Sequence, residues 1–246
     1  MERILEVCVD SLNSARAAIL GGADRLELCA ALAIGGLTPY EGLLQQIRAE
    51  SNIPIRCLMR PRAGDFLYTR EEIQLMAAQI RRLRLSGADG FVIGCLTAQG
   101  DLDREAMTPL LEAAEGAGLT LHRCIDVSRC PEETCLTAGS LGIDTVLTSG
   151  AAGSCLNGMD TIGRLLELSG PEVLIGAGVS ASAIRTIRQT LPQARNFHMS
   201  GKTDIPSGML FRRDGVPMGI PGFDEWHIQQ TSAEAVRLAK EALWNS

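Results

Sequence analysis

Short runs of branched apolar residues alternate with longer amphipathic stretches along the whole chain. The runs Ile4–Val9, Arg25–Ala30, Ile53–Pro61, Gly90–Leu96, Leu119–Val127, Thr145–Gly150, Glu172–Val179 and Asn196–Gly201 are predicted to be buried parallel strands. Amphipathic periodicity between them predicts helices. Ser14–Leu20 is the first, and a second is expected to run to Arg48, capped by Thr38 with Pro39 at its first position. Thr69 and Glu72 form a capping box for the third, and the last helix is expected over Ser232–Trp244. Eight strands alternating with eight helices predict an α/β fold, a single (β/α)8 TIM-like barrel spanning residues 1–246. A doubly wound open sheet is the alternative. One connection breaks the rhythm. Residues 202–231 are predicted to be a long loop after strand eight, a lid or binding segment in which Met209, Phe211, Met218, Phe223 and Trp226 could pack.

The first two strands carry the same Glu-x-Cys pattern, Glu6 with Cys8 and Glu27 with Cys29. Strand side chains alternate, so each Glu shares a face with its Cys. A carboxylate inside a buried strand needs a partner, so this repetition points to a polar site within the fold.

Composition changes this picture little. The net charge of −6 argues against nucleic acid or an anionic membrane as partner. No apolar run reaches about eighteen residues, so no membrane span is expected. The start at Met1-Glu2-Arg3 leads into a strand rather than a secretion signal, which predicts a cytoplasmic protein. Its 8 cysteines are then expected to be reduced, and no CxxC or HExxH suggests a structural zinc.

In a barrel the strand C-termini form the active face. That rule gathers Glu6, Cys8, Asp10, Glu27, Cys29, Arg60, Arg62, Asp65, His122, Asp126, Ser149, His198 and Ser200 at one mouth. His122, Cys124 and Asp126 are expected on one face of strand five, and Arg60 is expected to pair with Glu6 or Glu27. A buried ion network that only stabilises the barrel would use the same residues. Gly176-Ala-Gly178 and Ser200-Gly201-Lys202 end strands seven and eight, where barrels often bind phosphate; tight strand-to-helix packing is the other reading. Cys8 and Cys29 end adjacent strands beside carboxylates, and thiolates are soft ligands suited to Cu(I).

Several of these segments, in fixed order over nearly the whole chain, resemble the CutC copper homeostasis family. They are Glu6-Val-Cys8-Val-Asp10-Ser11, Gly22-Ala-Asp24-Arg25-Leu-Glu27-Leu-Cys29, Gly35-Gly36-Leu-Thr-Pro39, Arg60-Pro-Arg62-Ala-Gly64-Asp65-Phe66, His122-Arg123 with Asp126, Leu147-Thr-Ser149-Gly150 and Ser207-Gly-Met209. Ile34 stands where many members carry Glu, Ala63 where Gly is usual and Tyr40 where Ser is usual. The resemblance implies a TIM-like barrel in the cytoplasm with a role in copper handling, and copper held through two cysteines that fall on Cys8 and Cys29.

Two functions follow as expectations. The first is a copper homeostasis protein binding Cu(I) through Cys8 and Cys29. The second is a barrel enzyme acting on a small anionic or phosphorylated substrate. There Glu6, Glu27, His122 and Asp126 would move protons, and Arg60, Arg62, Asp65, Ser149, His198, Ser200 and Lys202 would hold substrate. The expected partners are a copper ion or a small anion, and a second copy of the chain in a homodimer.

Overall fold

The computed structural model describes residues 3–213, 215–216, 218–219 and 224–245. Eight parallel strands close into a barrel: β1 (Ile4–Val9), β2 (Arg25–Leu28), β3 (Ile55–Leu58), β4 (Gly90–Ile93), β5 (Gly118–Leu121), β6 (Thr145–Thr148), β7 (Glu172–Ile175) and β8 (Asn196–Met199). β8 pairs with β1, so no edge remains and the open-sheet alternative falls. Helices α1 (Leu12–Leu20), α2 (Glu41–Glu50), α3 (Arg70–Leu85), α4 (Arg104–Ala114), α5 (Pro131–Ser140), α6 (Met159–Leu166) and α7 (Ala181–Thr190) connect successive strands. No helix among the described residues is long and apolar enough to cross a membrane.

Strand alternation sorts the residues into two cores. Leu5, Val7, Val9, Leu26 and Leu28 face outward and pack in the large apolar cluster beneath the helices. Glu6, Cys8, Arg25 and Glu27 take the alternate positions on β1 and β2, and Cys29 follows just past the end of β2. α3 begins with the expected capping box of Thr69 and Glu72, and Pro131 occupies the first turn of α5. Gly21 lets α1 end against the last helix: a Cβ there would lie 2.6 Å from Val236 Cβ and from the Ala233 carbonyl.

The structure corrects several expected boundaries. Most strands hold only 4 residues, because the ladder ends where the loops turn across the mouth. Residues Arg123–Val127 form a 3-10 helix rather than the end of a strand. His122, Cys124 and Asp126 therefore do not share a strand face. Thr38 does not cap α2, whose N-cap is Tyr40; its hydroxyl instead ties to Arg60, accepting from the Arg60 N–H at 3.0 Å.

Residues 202–231 are also not a plain loop. β9 (Lys202–Pro206) and β10 (His227–Thr231) pair as an antiparallel hairpin before α8 (Ala233–Asn245). Its base is anchored, since Thr231 N–H donates to Ser14 Oγ on α1 at 3.1 Å. Met209, Phe211 and Met218 are exposed rather than packed, and Arg212 stacks over Trp226. Phe223 lies outside the described residues.

Candidate functional site

β8, β1 and β2 are consecutive around the barrel, and their inner faces bring Glu6, Glu27 and His198 together. Glu6 is fully buried. Its Oε2 accepts from Arg25 Nε at 2.5 Å, and its Oε1 lies 2.8 Å from His198 Nδ1. Arg60, the expected partner, is elsewhere. The reason is register: Arg25 pairs with Glu6 across the β1–β2 ladder, whereas Arg60 lies beyond the end of β3.

Burial alone would raise the carboxyl of Glu6, but Arg25 and His198 outweigh it and bring its pKa down to about 2. Glu27 has the opposite balance. Burial dominates, His198 offsets only part of it, and its pKa rises to about 7. Burial opposes the charge on His198, yet Cys8, Glu27 and Glu6 hold it well above the ordinary histidine range. Glu27 Oε2 is 3.7 Å from His198 Nδ1 and has no hydrogen-bond partner among the described residues.

Above this trio a cavity of about 670 Å³ opens at the C-terminal ends of the strands. Cys8, Glu27, Arg60, His122, Asp126 and His198 line it, with Ser200 and Lys202 at the β8 side. Glu6 lies beneath it and does not line it. Neither do Arg62, Asp65 and Ser149, three of the residues expected to hold substrate. Arg62 and Asp65 form an ion pair at 3.0 Å, and Arg62 also binds Glu72 while stacking on Tyr68. Together they brace the loop after β3. Ser149 is fully buried, accepting from Arg123 Nη2 at 2.8 Å beside Asp126.

The remaining mouth residues differ in how free they are. Arg60 donates to the carbonyls of Ile34, Gly36 and Gly64 and stacks on Phe66, so it clips two loops together. Asp126 accepts from Thr148 Oγ1, from the backbone N–H groups of Ser149 and Ala151, and from Arg123. Its oxygens are committed to holding the loop after β6. Burial, then Arg60, lowers His122 to about 3, so the ring is neutral. His122 Nδ1 accepts from Cys124 N–H at 3.2 Å, which leaves the proton on an Nε2 that has no hydrogen-bond partner among the described residues. Gly94 makes room for this ring, since a Cβ there would lie 2.6 Å from His122 Cε1.

The cysteines of the repeated pattern sit on neighbouring strands, with Cys8 level with Glu27 in the ladder. Cys29 is two residues further along β2's path, fully buried with Leu58 and Val92. Its thiol donates to the Val9 carbonyl at 3.5 Å, and burial followed by Cys8 and Glu27 pushes its pKa well up. The sequence reading missed Arg25 as a member of this site. Its signal was present: Arg25, Glu27 and Cys29 alternate along one strand, so all three share a face.

Comparison with known proteins adds a family to this geometry. The model of the CutC family matches residues 3–203. A family protein CutC of Porphyromonas gingivalis is 42% identical over 242 residues, covering 97% of both chains. The human copper homeostasis protein cutC homolog is 39% identical over 237 residues, covering 95% of this chain and 86% of its own. The solved structure of a CutC protein from Streptococcus agalactiae superposes with a TM-score of 0.76 at 28% identity, over 80% of this chain and 98% of that one. Phosphoribosylanthranilate isomerase of Pyrococcus furiosus matches with a TM-score of 0.56 at 14% identity, over 100% of each chain, a likeness of fold alone.

Proposed function

The chain belongs to the CutC family of copper homeostasis proteins, and from that premise we propose that it handles copper in the cytoplasm by taking Cu(I) at the barrel mouth through Cys8 and Cys29. Copper is its cargo in this reading. The observation that carries it is the placement of Cys8 on β1, lining the mouth cavity, with the Cys29 thiol just past the end of the adjacent β2 and against the Val9 carbonyl of β1. Sulfur donors fit a soft monovalent ion better than the surrounding oxygen donors do. Gly36, at φ +85°, lays its loop over Cys29, whose Sγ would be 3.7 Å from a Cβ there. The ion therefore approaches from the Cys8 side. Taking it displaces the proton that Cys29 now shares with the Val9 carbonyl.

The test is anaerobic competition of the reduced protein with a Cu(I) chelator. Cys8→Ser and Cys29→Ser should each weaken binding at least about tenfold. Cys130→Ser should not, because its sulfur points to Glu132 Oε2 at 3.7 Å, outside the mouth. Equal affinity in all three variants would remove Cys8 and Cys29 from the account.

A second reading, an acid/base enzyme acting on a small anion, is supported by one feature. Glu27, with its pKa near 7, meets a cationic His198 in the wall of the cavity. In that reading Glu27 moves the proton, Glu6 positions His198, His122 donates a hydrogen bond, and Arg60, Ser200 and Lys202 face the anion. Calorimetric titration with phosphate separates the readings, since a copper carrier needs no anion site. A homodimer belongs to the same proposal and is checked by analytical ultracentrifugation.

A further inference from the structure

We propose that Glu6, Glu27 and His198 form a separate site for a divalent first-row metal ion, Zn²⁺ or Mn²⁺ in class, at the floor of the barrel mouth. The donor atoms of the three side chains lie within 4.8 Å of one another. Oxygen and nitrogen ligands about 2.1 Å from one ion stand up to about 4.2 Å apart, so small side-chain adjustments suffice. The three residues come from β8, β1 and β2, consecutive in a closed wall, so the frame that holds them is rigid.

Glu27 supplies the observation that points to a ligand. It is 5% exposed, and its Oε2 is buried without any hydrogen-bond partner among the described residues. An orphaned carboxylate oxygen in a protein interior is costly unless a donor or an ion meets it. Glu6 is prepared differently. Arg25 holds its Oε2, while its Oε1 faces His198 Nδ1 at 2.8 Å, a contact in which the incoming ion takes the place of the shared proton. The Arg25 bond is the outer-shell support that fixes a metal-bound carboxylate. Glu27 and His198 line the cavity whereas Glu6 does not, so an ion enters from the mouth and keeps its open positions toward it.

Two carboxylates and an imidazole are oxygen and nitrogen donors, which suit divalent Zn²⁺ or Mn²⁺ and not a soft Cu(I) ion. The site is thus chemically distinct from the cysteine pair. Cys8 lines the same cavity beside His198 and belongs to the cysteine pair. An ion here would polarise an oxygen of a small anion bound in the cavity or activate a water.

The experiment uses the full chain, reduced, with Mn²⁺ and Zn²⁺ as probes. Calorimetry should find a single site that Glu27→Gln and His198→Gln each weaken at least about tenfold, with folding checked by far-UV circular dichroism. Cys29→Ser should leave it unchanged. X-ray absorption at the Zn edge of the wild type should show a shell of nitrogen and oxygen near about 2.1 Å and no sulfur near about 2.3 Å. No binding of either ion, a sulfur shell, or equal affinity in folded variants overturns the proposal. If the variants do not fold, the wild-type spectrum decides alone. Chelator competition for Cu(I) on Cys29→Ser reports on the cysteine pair separately, so either site can fail without the other.

Discussion

Glu6 on β1 and His198 on β8 stand at matched register across the seam that closes the barrel, Oε1 to Nδ1 at 2.8 Å, although 192 residues separate them in the chain. The first and last barrel strands are thus joined by a buried ionic contact as well as by their ladder. Arg25 completes it from β2. The seam and the candidate site are the same group of atoms.

That arrangement makes Arg25 a strong test of stability. Arg25→Met removes one partner of a pair whose other member is fully buried. It should cost about 3–5 kcal/mol in urea unfolding, because Glu6 is left uncompensated. Adding Glu6→Gln to the same chain should recover part of the loss. A single variant within about 1 kcal/mol of wild type would show that Glu6 does not depend on Arg25.

Stability should respond to pH in two windows. Glu6 falls from an ordinary 4.5 to about 2, so its contribution is full above 4.5 and is lost as pH drops toward 2. Glu27 rises from 4.5 to about 7, so its contribution is full below 4.5 and is lost as pH rises through 7. Glu27→Gln should therefore flatten the decline between those values, an effect on the order of 3 kcal/mol at pH 8. Parallel wild-type and variant curves over that window would count against a raised Glu27.

The two mouth histidines should differ in charge at neutral pH, one neutral and one cationic. His122 should stay neutral and titrate only near 3, whereas His198 should remain protonated well beyond its ordinary 6.5. Nitrogen chemical shifts of the rings, followed by NMR across pH, read this directly. Both rings titrating together near 6.5 would contradict the burial and pairing described.

Asp126→Ala should destabilise the protein rather than act on chemistry alone. Its carboxylate, 5% exposed, gathers Thr148, Ser149, Ala151 and Arg123. Losing these acceptors should cost at least about 2 kcal/mol by urea unfolding. Hydrogen exchange should quicken at Ser149 and Ala151. Unchanged exchange at both amides would refute the anchoring role.

Much of the architecture was legible in the chain itself. The eightfold alternation follows from apolar runs and helical periodicity, which depend on neighbours in sequence and need no tertiary information. The capping box of Thr69 and Glu72 is equally local. So is the sharing of one strand face by Glu6 and Cys8, since strand side chains alternate wherever the strand lies. Partner choice is different. Whether Arg25 or Arg60 meets Glu6 depends on ladder register and on where β3 ends, and both are set by closure of the barrel. The turn of residues 123–127 into a 3-10 helix likewise goes with Asp126 reaching the backbone of the next βα loop. The split between Glu6 near 2 and Glu27 near 7 has the same origin. Two residues of one type on adjacent strands ionise differently because only Glu6 is hydrogen-bonded to the Arg25 guanidinium and to His198, and distance through space decides that.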